Sequence, residues 1–122
     1  MSAQRPADTG RWAEDLACRY LQAQGLTLIE RNYRCPAGEI DLVMEQQGST
    51  VFIEVRYRRA PRFGTGAESV DARKRAKLLA TALHYLQRDP VAARAPSRFD
   101  VVSMEGARTG PRIRWIPNAF GA

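Results

Sequence analysis

Hydrophobic residues recur at helical spacing near the start of the chain and again past its middle. The first run predicts a helix over residues 10–24, and the second predicts a helix that Ser69 caps and that runs to about Asp89. The stripe that the second helix is predicted to bury consists of Ala72, Ala76, Leu79, Leu83 and Leu86. Each helix is amphipathic and therefore needs an apolar surface to pack against.

Five further segments have the composition of β-strands. They are residues 26–32, 39–45, 51–58, 98–104 and 112–116. A turn is predicted over residues 33–38 and a loop over residues 60–68, because both stretches combine glycine with proline.

Apolar and polar residues alternate in the two central strands, which assigns their side chains to opposite faces of a sheet. The side chains predicted to share one face are Ile40, Leu42 and Met44, then Val51, Ile53, Val55 and Tyr57. Those predicted on the opposite face are Glu39, Asp41, Val43 and Glu45, then Phe52, Glu54, Arg56 and Arg58. A short polar connection containing Gly48 joins the two strands as a hairpin.

The predicted order of elements is αβββαββ. The helix between the third and fourth strands is long enough to cross the sheet, so these strands are expected to run parallel with a right-handed connection. The sequence thus predicts one α/β domain over residues 1–122, with its core from about residue 10 to 120, in which helices flank a mixed sheet.

The net charge of +6 is distributed unevenly along the chain. Residues 1–55 carry five basic and eight acidic side chains, whereas residues 56–122 carry fourteen basic and five acidic ones. A basic half of this kind is typical of a surface that meets a polyanion, and chance clustering of solvated charges is the alternative. No apolar run approaches the length of a membrane span and the opening residues lack the apolar stretch of a signal peptide, so a cytoplasmic location without membrane contact is expected.

The predicted hairpin brings acidic residues together. A two-residue turn at Gln47-Gly48 places Asp41 directly opposite Glu54, and Glu39 opposite Arg56. Opposed carboxylates repel each other unless both are solvated, one is protonated or a cation lies between them. The neighbouring positions are apolar, so a divalent cation is the simplest explanation, and an exposed edge strand whose acidic residues pair with arginines is the alternative.

Asp41, Glu54 and the carbonyl of Val55 offer only oxygen ligands, which suit Mg²⁺ or Mn²⁺ better than zinc. Glu14 on the first helix is a candidate for a third carboxylate, because it borders the apolar stripe and can point at the edge of the sheet. A solvated helix glutamate is the alternative for Glu14.

Basic residues follow the third strand and continue into the second helix. The candidates for contact with a nucleic-acid backbone are Arg58, Arg59, Arg62, Arg73, Lys74 and Lys77. Arg56 shares the strand face of Glu54, where a guanidinium can hold phosphate oxygens and stabilise developing charge. A solvated basic face is the alternative for this stretch.

Several blocks of the sequence resemble the bacterial YraN-like family of predicted endonuclease-like proteins over about Gly10 to Phe120. The blocks that carry the resemblance include Gly10-x-x-x-Glu14, Arg31-Asn32-Tyr33-Arg34, Gly38-Glu39-Ile40-Asp41-Leu42-Val43, Val51-Phe52-Ile53-Glu54-Val55-Arg56-Tyr57-Arg58-Arg59 and Arg98-Phe99-Asp100-Val101-Val102.

The resemblance implies a restriction-endonuclease-like fold, shared with archaeal Holliday-junction resolvases, and Mg²⁺-dependent hydrolysis of DNA that selects branched structures. It assigns metal-ligand places to Glu14, Asp41 and Glu54, and it puts Arg56 where such nucleases carry a lysine. Because an arginine cannot act as a general base, a catalytically silent nucleic-acid-binding module is the alternative function. Related resolvases work as dimers, so the resemblance also implies a homodimer.

Overall fold

The computed structural model describes residues 6–60 and 70–120, and its element order confirms the predicted αβββαββ arrangement with one short helix added. The elements are α1 (Pro6–Ala23), β1 (Thr27–Cys35), β2 (Gly38–Gln46), β3 (Ser49–Arg58), α2 (Ala72–Arg88), α3 (Pro90–Arg94), β4 (Ser97–Glu105) and β5 (Arg112–Phe120). The predicted loop over residues 60–68 lies outside the described residues except for Ala60, and the predicted cap Ser69 lies outside them as well. Asp71 caps α2 instead, since its carboxylate accepts a hydrogen bond from the Lys74 N–H.

The five strands form one sheet in the order β1-β2-β3-β4-β5. β3 and β4 are parallel, as the crossover through α2 predicts, and the other neighbouring pairs are antiparallel. The result is a mixed sheet flanked by helices, consistent with the nuclease-like fold that the resemblance implies. No helix in the two described stretches is long and apolar enough to cross a membrane.

Two hydrophobic clusters lie on the two faces of the sheet. α1 covers one cluster, in which Leu21 packs with Leu42 and Ile53. α2 covers the other, in which Tyr85 packs with Phe52. Both clusters draw on the central strands, so the middle of the sheet is buried on both faces.

The buried face of α2 differs from the prediction. Of the residues predicted to be buried, Ala72, Ala76 and Leu83 are exposed, and Leu79 and Leu86 are only partly buried. The residues that face the sheet are Leu78, Thr81, Ala82 and Tyr85. Tyr85 explains the rotation of the helix, because its ring makes edge-to-face contacts with Phe52 and Tyr33 and buries more apolar area than a leucine would.

The predicted turn over residues 33–38 is wrong at both of its ends. β1 continues to Cys35, β2 begins at Gly38, and only Pro36 and Ala37 form the turn. The strand extends past Tyr33 because the side chain of Tyr33 is buried in the cluster that α2 covers. This burial holds an otherwise polar stretch of chain against the core.

β2 changes the face of its side chains at Asp41, contrary to the predicted alternation. Ile40 packs in the α2-side cluster, whereas Leu42 packs in the α1-side cluster. Asn32 lies in β1 between the partners of these two residues and has a left-handed φ of 53°. Asparagine tolerates this conformation better than most residues. The left-handed conformation of Asn32 thus accompanies the point at which β2 loses its regular alternation of faces, and Asp41 lies at that point.

Candidate functional site

The hairpin between β2 and β3 has the predicted register. Gln46 pairs with Ser49, and the pairing continues to Leu42 and Ile53. The ladder ends at that pair, so the next two residues, Asp41 and Glu54, are not paired through their main chains, but their carboxyl groups are in hydrogen-bond contact. The sequence therefore located the meeting point of the two carboxylates correctly.

At this point β2 contacts β3 through the side chain of Asp41. Its Oδ2 accepts a hydrogen bond of 2.8 Å from the Val55 N–H. Burial, then the negative charge of Glu54 and a hydrogen bond with Glu54, together raise the pKa of Asp41 to about 8, although the bond from Val55 lowers it. The carboxyl group is therefore held in a place where it repels a neighbouring carboxylate or shares a proton with it.

Glu54 is 6% exposed and lies between two cationic side chains. Its Oε2 forms an ion pair with the ammonium of Lys74, and it is 3.6 Å from a guanidinium nitrogen of Arg56. Lys74 comes from the first turn of α2, so the crossover helix brings an amine to the carboxylate on β3. A buried carboxylate with two cations is well compensated in the absence of any other ligand.

Three acidic side chains in the described part of the chain, Glu14, Glu39 and Asp41, converge as a group that could hold a metal ion. One carboxylate oxygen of each lies within 4.8 Å of the others. Glu14 therefore points toward the sheet, as predicted, but Glu39 joins the group in place of Glu54. We call Glu14, Glu39 and Asp41 the acidic trio.

Glu39 does not pair with Arg56, contrary to the predicted register. The pairing of β2 with β3 ends at Leu42, and Glu39 instead lies opposite Arg34 on β1. Arg34 donates to the Glu39 carboxylate at 3.1 Å. The arginine-paired interpretation that the sequence left open is therefore correct for Glu39.

The donor chemistry of this site fits a hard divalent cation. The acidic trio offers three carboxylates, and Glu54 is adjacent to Asp41. Burial and the charge of Glu54 raise the pKa of Asp41, and a bound cation would favour its ionised form. Val55 contacts Asp41 through its N–H, and its carbonyl as a ligand stays a prediction.

A cleft of about 640 Å³ opens beside Asp41 and Glu54 on the α2 side of the sheet. Three of the predicted backbone-binding residues, Arg73, Lys74 and Lys77, line it. Arg58 and Arg59 lie at the end of β3 and are not among its lining residues, and Arg62 lies outside the described residues. We call this the α2-side cleft.

Two features of the site were missed from the sequence. The sequence predicts Glu39 as the partner of an arginine and not as a metal ligand, although its position two residues before Asp41 is a usable signal. Lys74 was assigned to backbone binding, and its contact with Glu54 depends on how α2 crosses the sheet, which local sequence does not encode.

Comparisons with known proteins give one consistent family. Residues 13–104 match a family described as "Uncharacterised protein family UPF0102". A UPF0102 protein of Nitrosococcus oceani is 53% identical over 113 residues, which cover 93% of this chain and 91% of that protein. A UPF0102 protein of Pseudomonas putida is 45% identical over 121 residues, 98% of each chain.

Among solved structures, the chain has a distant likeness to SfsA of Pyrococcus furiosus in complex with Ca²⁺. The identity is 15% and the TM-score is 0.35, with 85% of this chain and 60% of that chain covered. The matches to UPF0102 proteins, by contrast, run through the acidic blocks of β2 and β3 and cover most of both chains. The chain belongs to the UPF0102 family, the YraN-like proteins that its sequence resembles.

Proposed function

We propose that this protein is a metal-dependent nuclease that hydrolyses phosphodiester bonds in DNA and favours branched structures. The observation that carries the proposal is the position of Asp41 and Glu54, which line one cleft together with Arg73, Lys74 and Lys77. A carboxylate pair suits a cation and the basic wall suits a phosphate backbone, so one cleft accommodates both partners of a hydrolytic site.

The residues that would hold Mg²⁺ or Mn²⁺ are the acidic trio together with Glu54. When bound, the ion supplies Lewis-acid activation of water and neutralises charge on the phosphate. Arg73 and Lys77 hold the backbone in the α2-side cleft. Arg58 and Arg59, at the end of β3, extend this contact along the bound nucleic-acid strand, and Arg62, outside the described residues, stays a predicted contact.

In nucleases with a lysine on this strand, that one residue both stabilises charge and handles a proton. Here Arg56 has the first role and Lys74 has the second. Arg56 keeps its proton and stabilises charge on the phosphate oxygens. Lys74 carries an amine that can hold or release a proton, and its contact with Glu54 places it beside the carboxylates. The arginine on β3 is therefore compatible with hydrolysis, because α2 provides the lysine.

Cleavage of branched and linear DNA in Mg²⁺ or Mn²⁺ tests the proposed function. Asp41→Ala and Glu54→Gln are each expected to reduce the cleavage rate by at least about 100-fold, because each removes a carboxylate from the reacting centre. Glu45→Gln is the matched control, since Glu45 is an exposed carboxylate further along β2. Absent cleavage by the wild type, or equal rates in all three variants, would refute the nuclease proposal.

Lys74→Arg is expected to reduce cleavage by about 100-fold or more while DNA affinity stays within a few fold, because arginine keeps the charge but does not give up its proton. Lys77→Arg, one turn further along α2 in the same cleft, is the matched control and is expected to keep activity. The measurements are single-turnover cleavage rates and DNA affinity by fluorescence anisotropy. If the two variants cleave equally well, Lys74 acts only as a charge.

The second candidate function is a nucleic-acid-binding module without catalysis. The observation that favours it is the ion pairing of Glu54 with Lys74 and Arg56, which satisfies this carboxylate without a metal. Under this function, Asp41→Ala leaves DNA affinity unchanged and no cleavage occurs in any divalent cation. The resemblance also implies a homodimer. Sedimentation equilibrium tests this expectation independently of cleavage and DNA binding.

A further inference from the structure

A second cleft lies on the α1 side of the acidic trio. Its volume is about 500 Å³, and its charged lining consists of Arg11, Arg31, Arg34, Glu14, Asp15 and Glu39. We call it the α1-side cleft. None of its three arginines was predicted as part of the functional site.

The acidic trio separates the two clefts. Glu39 lines both of them, while Glu14 lines the α1-side cleft and Asp41 lines the α2-side cleft. Because the oxygens of these three residues lie within 4.8 Å of one another, the clefts approach each other at the carboxylates. A chain molecule that crosses the trio therefore meets three cationic side chains in each cleft, together with at least as many carboxylates.

The arginines of the α1-side cleft have hydrogen-bonding capacity to spare. The Nε of Arg31 is buried and has no hydrogen-bond partner among the described residues. Arg34 has a side chain that is 74% exposed, and Arg11 is exposed and has no ion pair within the described stretches. The exposed guanidinium groups of Arg11 and Arg34 suit phosphate oxygens, whereas the buried Nε of Arg31 is not at the surface of the cleft.

The same arginines are partly neutralised by the acidic trio. Arg34 pairs with Glu39 at 3.1 Å, and Arg31 lies 3.7 Å from Glu14 as well as 2.7 Å from Asp15. Carboxylates that hold a divalent cation neutralise a neighbouring arginine less. A cation at the trio therefore raises the positive potential of the α1-side cleft and strengthens its attraction for phosphate.

We propose that the α1-side cleft binds the nucleic-acid backbone on the far side of the reacting phosphate, with Arg11 and Arg34 as its phosphate contacts. The proposal rests on the proposed function and adds a second phosphate-binding cleft to it. The bound strand crosses the acidic trio and places phosphates in both clefts, and its affinity rises when the trio holds a cation.

The test measures the affinity of a fluorescein-labelled single-stranded oligodeoxynucleotide by anisotropy, in Ca²⁺ and in EDTA, over a series of salt concentrations. Arg11→Gln with Arg34→Gln removes the α1-side contacts, and Arg73→Gln with Lys77→Gln removes the α2-side contacts. Arg19→Gln with Arg94→Gln is the control, because both arginines are exposed and line neither cleft. Thermal melting checks that each variant is folded, and Arg11→Gln alone replaces the double variant if that one is not.

Each double variant at a cleft is expected to bind about tenfold more weakly than the control in Ca²⁺ and to lower the slope of log affinity against log salt by about two. The gain in affinity from EDTA to Ca²⁺ is expected to shrink in the α1-side variant. Loss of affinity in the α2-side variant alone overturns this inference and leaves the proposed function in place. A wild type that does not bind, or three variants that bind alike, overturns both.

Discussion

Asp100→Ala is expected to lower the free energy of unfolding by about 3–5 kcal/mol, because it leaves an arginine and two N–H groups without their acceptor. Asp100 is fully buried. Its carboxylate accepts from Arg98 Nε at 3.0 Å, from Trp115 Nε1 at 2.9 Å and from the Asn118 N–H at 2.8 Å. These contacts join β4 to β5, so the loss also weakens the edge of the sheet. Urea unfolding followed by far-UV circular dichroism measures the effect without relying on the fluorescence of Trp115.

Asp71→Ala is the matched control for this experiment. Asp71 is an exposed carboxylate whose main contact is with the Lys74 N–H at the start of α2, and the loss of such a cap costs about 1 kcal/mol. Asp100→Asn should fall between the two, because the amide keeps one acceptor oxygen but loses the charge that Arg98 faces. If Asp100→Ala costs no more than Asp71→Ala, the buried network contributes little to stability.

The parts of the fold that the sequence predicts well are those fixed by local periodicity. The hairpin register followed from alternation and from a two-residue turn at Gln47-Gly48, and both residues of that turn have positive φ. The parallel pairing of β3 and β4 followed from the length of the crossover. In each case a short stretch of chain contains all the information that the prediction uses.

The errors arise where tertiary contacts override the local pattern. The buried face of α2 is set by Tyr85, which a leucine stripe does not include. The face change in β2 depends on the left-handed conformation of Asn32, which lies on the neighbouring strand. No period of two within β2 contains that information.

The candidate site also has some features that local sequence predicts and others that depend on tertiary contacts. The proximity of Asp41 to Glu54 was predicted because the hairpin register, which is regular up to Leu42 and Ile53, brings the two residues that follow close together. The approach of Glu14 and Lys74 depends on how two helices dock on opposite faces of the sheet, so their spatial relation to the strands is a property of the whole fold. Glu39 joined the acidic trio because of the same irregularity that turns Asp41 out of the ladder.

Asp41→Asn is expected to change the pH dependence of stability in the metal-free protein. The pKa of Asp41 rises from 3.8 to about 8 on folding, so the folded state binds a proton that the unfolded state has lost between these values. That stabilisation is fully present below the lower value and is lost as pH rises through the upper one. Relative to Asp41→Asn, the wild type should therefore lose at most about 1.4 kcal/mol per pH unit in this interval, and then level off. Urea unfolding in EDTA across the pH series measures the difference, and a constant difference contradicts the assigned protonation.

The same proton governs how tightly the acidic trio binds a cation. Mn²⁺ requires the Asp41 carboxylate, so its apparent affinity in the wild type should rise by about tenfold per pH unit below the folded pKa and level off above it. Isothermal titration calorimetry measures both the affinity and the proton release, the latter by comparing buffers of different ionisation enthalpy. Glu45→Gln on the same strand should behave like the wild type, whereas Asp41→Asn should bind Mn²⁺ weakly and without this dependence. Mn²⁺ binding that is equally strong in Asp41→Asn would show that the cation does not use this carboxylate.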